Sequence, residues 1–285
     1  MKKKEQVQKP NIQEVTDIEV TPVEERNIVF KPNAGPQTDF LAAGEREVLY
    51  GGSAGGGKSY AMLADPLRYM GHPSFSGLLL RHTTEELREL IYKSKEIYPQ
   101  IWKGIKWSER KMQWEAPSGA RLWMSYLDRE DDVLRYQGLA FSWIGFDELT
   151  QWATPYAWNY MRSRLRSVAS DLPVYMRATT NPGGPGHQWV KKMFIDPAPY
   201  GRQFDATDIE SGNILSYPKG HTKSGQPLFK RRFIPARLSD NPYLAETGDY
   251  ETMLLSLPEH QRKQLLEGDW DIKEGAAFSE FDRNI

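Results

Sequence analysis

The chain has 285 residues, enough to bury one large core with or without a small appendage. Its 37 lysines and arginines nearly balance 38 aspartates and glutamates, so any polyanion site has to be a local patch. Zero cysteines exclude a disulfide framework, a thiolate zinc site and a cysteine nucleophile. A mean hydropathy of −0.65, with no apolar run near the ~20 residues that a span needs, excludes a transmembrane helix. The basic start Met1–Lys4 has no apolar segment behind it, so it does not read as a signal peptide. The expectation is a soluble, intracellular-type chain with no membrane partner.

Residues 1–35 read as a mobile lead-in, with one edge strand expected at Ile28-Val29-Phe30. From Phe40 to Phe194 short apolar runs alternate with helical patterns, which predicts an α/β sheet. Glu47–Tyr50 is a buried strand running into glycines, and Gly77–Arg81 is a second. Thr83 and Glu86 have capping-box spacing, and Leu87, Leu90, Ile91, Ser94 and Tyr98 form one helical stripe. Lys111–Glu115 and Arg121–Tyr126, joined by Pro117-Ser118-Gly119, predict a hairpin. Phe141–Phe146 is a third buried strand. Thr154-Pro155 then opens a helix expected to reach Val168, and Val174–Ala178 is a fourth strand. Residues 196–226 lack periodicity and read as a long excursion, giving a soft boundary near 200. Residues 243–270 are helical again, with Pro258 at a helix start and Gly268 just past its end.

Gly52-Ser53-Ala54-Gly55-Gly56-Gly57-Lys58-Ser59 fits G-x-x-x-x-G-K-[ST] at every position. Glycines let successive backbone N–H groups turn inward around a β-phosphate, and the following helix presents its positive end there. Lys58 would bridge the β- and γ-phosphates, and the Ser59 hydroxyl would ligate Mg²⁺. The nucleotide-binding stretch is taken as Gly52 to Tyr60, with a kink expected at Pro66. Asp147-Glu148 puts two carboxylates at the end of a buried strand, where α/β sheets bind ligands. Alone, this pair could equally be the acidic start of a helix. Paired with the loop, Asp147 would hold the Mg²⁺ shell, and Glu148 would accept a proton from the attacking water.

Taken in order, the motifs resemble the ATPase half of a tailed-bacteriophage large terminase subunit, over roughly residues 36–280. The resemblance rests on Gln37–Leu41, Gly51–Ser59, Phe146-Asp147-Glu148, Ala178–Pro182, Asp240–Tyr243 and Leu266–Trp270. It implies a phosphate-loop fold of the ASCE (RecA-like) type, a mostly parallel sheet flanked by helices. Residues 36–200 would form the core, and 201–275 an excursion and a small helical lid. Residues 276–285 would begin the linker to a nuclease domain, and no spaced acid cluster follows, so DNA cleavage is not expected of this chain.

The same resemblance assigns Gln37 to adenine recognition and makes Thr179, Thr180 and Asn181 a coupling motif that senses γ-phosphate and moves the lid. Arg135 matches an arginine finger acting in trans, with Arg81 as its competitor. The loop itself carries no arginine, which departs from some members of the family. The activity implied is ATP hydrolysis with Mg²⁺ that drives double-stranded DNA into a capsid. Its partners would be a portal protein and capsid, a small terminase subunit and further copies in a ring, in the host cytoplasm. A helicase-like remodeller and a nucleotide-gated assembly module are the alternatives. Candidate phosphate contacts on DNA are Arg162, Arg164 and Arg166 on one helix, Lys191-Lys192, and Lys230-Arg231-Arg232.

Overall fold

A computed structural model describes residues 28–272. Nine strands form one sheet: β1 Glu47–Gly52, β2 Ser76–Arg81, β3 Lys106–Ser108, β4 Gln113–Glu115, β5 Arg121–Tyr126, β6 Trp143–Asp147, β7 Tyr175–Thr180, β8 Gln203–Asp205 and β9 Lys230–Ala236. Their order is β3-β4-β5-β2-β6-β7-β1-β9-β8. The six strands from β5 to β9 in that order are mutually parallel, and antiparallel strands cover both edges. β1, β6 and β7 are buried at every residue, so they read in sequence as nearly continuous apolar runs.

Helices α1 Pro36–Ala42, α2 Lys58–Ala64, α3 Thr84–Ile101 and α4 Tyr156–Arg162 pack around these strands. The capping box at Thr83 and Glu86 closes on the start of α3, and its predicted stripe is the buried face. The predicted hairpin is β4 and β5. Gly119 takes a φ of 92° in the turn between them. Two apolar clusters make up the core.

Several expectations need correcting. Ile28–Phe30 is not a strand; with Leu67 and Trp102 it lines a surface groove. Pro66 does more than kink a helix, since the α-helical ladder stops at Ala64 and a 3-10 turn follows over Asp65–Tyr69. α4 ends at Arg162 rather than Val168. Beyond it the backbone is drawn alongside Phe141, whose N–H bonds to the Arg164 carbonyl and whose carbonyl takes the Arg166 N–H. Arg164 and Arg166 are therefore not on the helix with Arg162.

The larger miss is β9. It lies beyond the boundary expected near 200, yet it pairs with β1 in the parallel part of the sheet. Pro235 sits in it past the short stretch paired with β8, where that side needs no donor. A short α5, His187–Val190, precedes β8. After β9 come α6 Pro242–Ala245, α7 Asp249–Leu255 and α8 Glu259–Arg262. A π-helical turn, Lys263–Glu267, ends on Gly268. The expected linker at 276–285 and residues 1–27 lie outside the described residues. Among the described residues no helix is long and apolar enough to cross a membrane.

Candidate active site

The parallel register brings the ends of five strands level. Gly51 pairs with Thr180, Gly52 with Ala236, Asp147 with Thr179, and Leu80, one residue before Arg81, with Phe146. The phosphate loop leaves β1 and enters α2 through Gly57, which adopts a φ of 76° as the residue before the helix. No side chain caps that helix, so its first N–H groups face the loop. Gly52 is required by crowding, since a Cβ there would lie 2.2 Å from the Ala236 carbonyl oxygen on β9.

Lys58 is buried and donates to the Ser53 carbonyl at 2.5 Å across the loop. Burial pushes its ammonium below the ordinary lysine value, against the opposing pull of Glu148 and Asp147. The paired ends of β1, β7 and β6 place the loop and the acidic pair at the same edge of the sheet. Asp147 is fully buried. Thr179 donates to its Oδ1, whereas its Oδ2 has no hydrogen-bond partner. Burial, reinforced by the Asp147 charge, pushes Glu148 above the usual carboxylate range, with Lys58 and Arg81 opposing. Glu148 also holds a φ of 58°, uncommon for a residue with a Cβ and a known mark of functional sites.

Arg81, at the end of β2, approaches both acids, with Nε 3.3 Å from Asp147 Oδ2 and Nη1 4.0 Å from Glu148. It is buried, and its Nε and Nη1 make no hydrogen bond. Arg135 lies elsewhere, on a 3-10 turn over Glu130–Tyr136 with its side chain 48% exposed. It donates to the Tyr126 carbonyl at the end of β5 and pairs with Asp132 at 3.6 Å.

Gln37 is buried against the loop. Its Nε2 donates to the Gly57 carbonyl at 2.9 Å, and its Oε1 accepts from the Asn33 N–H. One donor and one acceptor position of its amide remain. Tyr60 projects outward from α2, beneath the Lys93 ammonium. In the expected coupling segment, Thr180 hydrogen-bonds Thr150 at 2.7 Å, and the Asn181 carbonyl accepts from the Thr150 hydroxyl at 3.3 Å.

Sequence reasoning did not anticipate how closely the C-terminal helices cover the loop. The Ala54 N–H donates to the Leu265 carbonyl at 2.6 Å, and Asn241 Nδ2 donates to the Gly55 carbonyl at 2.6 Å. Leu238, Leu244 and Tyr250 crowd Gly55. The expected basic clusters are largely engaged within the molecule. Arg162 and Arg231 bind Glu47, Lys191 binds Asp196 and Asp271, and Lys230 binds Asp205.

A parallel sheet whose strand ends carry a phosphate loop, an Asp-Glu pair and an arginine defines a phosphate-loop nucleotide-binding fold of the RecA-like class. A family model described as "Terminase large subunit, T4likevirus-type, N-terminal" matches residues 49–285, and the chain belongs to that family. The large terminase of a thermophilic bacteriophage is similar in fold, with TM-score 0.61 at 16% identity over 89% of this chain and 57% of that one. The same protein in complex with ATP-γ-S gives a TM-score of 0.57 at 14% identity, over 84% and 53%. The ATPase domain of the large terminase from Thermus phage P74-26 gives 0.52 at 13% identity, over 85% and 94%. The chain thus spans a little over half the length of the first of these terminases. No curated protein compared with it matches.

Proposed function

We propose that this chain hydrolyses ATP with Mg²⁺ and that its turnover drives double-stranded DNA into a capsid. One observation carries the chemistry: Asp147 Oδ2 and the Arg81 Nε and Nη1 are buried at the ends of β6 and β2, without hydrogen bonds, beside the phosphate loop. Their 3.3 Å ion pair offsets part of the cost of burial, and a bound ion and a phosphate would supply the partners these atoms still lack. In this reading the loop amides and Lys58 hold the β- and γ-phosphates. Lys58 would exchange the Ser53 carbonyl for phosphate oxygen. Ser59 and Asp147 are the residues that fit Mg²⁺, a hard cation content with few protein oxygens plus phosphates. Bound there, the ion would neutralise charge on the phosphates.

Glu148 takes a proton from water as the water oxygen bonds to the γ-phosphorus and the bond to the β-phosphate oxygen breaks, leaving ADP and phosphate. Its raised affinity for protons suits a base. Arg81 screens the two carboxylates from each other in cis. Arg135, exposed and tethered to Tyr126 and Asp132, is the finger offered to a neighbouring subunit in a ring. Gln37 recognises adenine, and Thr179, Thr180 and Asn181 couple γ-phosphate to the lid. The macromolecular partners are those of a packaging motor: DNA, portal, capsid, small subunit and sister copies, in the host cytoplasm. The test is a pair of variants. Glu148→Gln should bind MgATP and fail to hydrolyse it, while Asp147→Asn should lose Mg²⁺-dependent affinity. Equal loss of nucleotide affinity in both would sink this division of roles.

A further inference from the structure

His187 stands at the start of α5 and is buried, as fully enclosed as the core aromatics. Its Nδ1 accepts from the Gly183 N–H at 2.8 Å, and its Nε2 lies 3.2 Å from the Trp270 carbonyl oxygen. An acceptor at Nδ1 and a carbonyl facing Nε2 are satisfied together by only one neutral tautomer, with the proton on Nε2. The ring also stacks on Trp270, centroids 5.3 Å apart and planes 21° from parallel.

What the imidazole joins gives it meaning. Gly183 is two residues after Asn181, whose carbonyl accepts at 3.3 Å from the hydroxyl of Thr150, itself two residues after Glu148. Trp270 is two residues after Gly268, where the last helical turn meets the phosphate loop. A Cβ on Gly268 would lie 2.6 Å from the Ser53 nitrogen. Trp270 also leans on Gly51, whose Cβ would be 3.3 Å from its ring. A second lid residue reaches the segment around Gly183 independently: Gln264 Nε2 occupies the space a Cβ on Gly183 would need, 2.5 Å away.

We propose that His187 is a positioning residue that ties the segment after the coupling motif to the tail of the lid. It makes a change at Glu148 and Asn181 reach Trp270, and through Gly268 the phosphate loop. The proposal rests on the ATPase reading of the site and adds the side chain through which that site would move its lid.

Two near-isosteric variants of the full chain each cut one end. In His187→Asn the Oδ1 replaces Nδ1 and keeps the Gly183 bond, but nothing reaches Trp270. In His187→Gln the Nε2 replaces the ring Nε2 and keeps the Trp270 bond, but Gly183 loses its acceptor. Both variants should bind MgATP as the wild type does and turn it over about 10- to 100-fold more slowly per folded molecule. Hydrogen exchange, compared between MgADP and MgATP-γ-S, should change at the phosphate loop and at residues 242–268 in the wild type. In the variants it should change at the loop alone. Should one variant fail to fold, the other gives the same reading. A folded variant with wild-type turnover and a lid that still responds overturns the relay, whatever its thermal stability. A wild-type chain that neither hydrolyses MgATP nor protects its loop overturns the ATPase reading and the relay with it.

Discussion

Lys58 shows how one residue's surroundings set its mutational signature. Its type and spacing were legible because a phosphate cradle needs a cation at that position. Its burial was not, since a loop lysine in sequence suggests an exposed one. Lys58→Ala is expected to abolish turnover. It should cost at most about 1–3 kcal/mol of stability, because the Ser53 carbonyl loses its hydrogen bond and the two acids lose a cation, while the cost of burying the ammonium disappears too. Comparing ATPase rate with the urea midpoint checks this; wholesale unfolding would contradict it. Arg81 makes the complementary case. Sequence placed it at a strand end but could not show that β2 neighbours β6, which brings its guanidinium to Asp147. Arg81→Ala removes the guanidinium that approaches both acids, leaving Lys58 as their cation. The expected result is a fall in kcat of about 10²-fold or more, with Arg81→Lys recovering part of it because a cation alone screens the pair. A variant as active as wild type would remove Arg81 from the site.

At the level of elements, β9 was hidden by its own composition. A run of Lys230-Arg231-Arg232 reads as a solvated patch, and Pro235 argues against an interior strand. The fold resolves both. Arg231 is wholly buried, with Nε 2.7 Å from Glu47 on β1, and Arg162 from α4 binds the same carboxylate. The strands β1, β2, β6 and β7 were legible because each is an apolar run leading into its motif, whereas β9 depends on an acid 184 residues away. Burial alone would push Glu47 up, but Arg231 and Arg162 outweigh it and hold the carboxyl below its ordinary 4.5. A depressed carboxyl contributes stability that is present above pH 4.5 and lost as pH falls through the lower folded value. Glu47→Gln should therefore cost about 3–5 kcal/mol at neutral pH, by leaving two guanidinium groups without their anion. It should also flatten the acid limb of a stability–pH profile below that ordinary value. An acid limb identical to wild type would show that the pair contributes nothing.

Across the whole molecule, an exposed Arg135 and a buried Arg81 predict that catalysis depends on assembly. Specific activity should rise with protein concentration, and Arg135→Ala should bind nucleotide normally yet lose that rise. Mixing Arg135→Ala with Glu148→Gln should restore some turnover, since one kind of interface then pairs an intact arginine with an intact glutamate. No rescue in verified mixed oligomers would place the finger within the subunit. A different consequence follows from the Leu265 carbonyl on the Ala54 N–H. On the proposed reading, an incoming phosphate would compete with the protein's own backbone for that amide, so ATP would dock fully only in molecules that have already let go. A lid open in about one molecule in a hundred weakens apparent affinity about 100-fold. It also makes arrival a two-step event, in which the observed association rate climbs with ATP concentration and then levels off at the rate of release. Stopped-flow mixing would show that plateau, and a rate that stays linear to high concentration would mean the amide is never withheld.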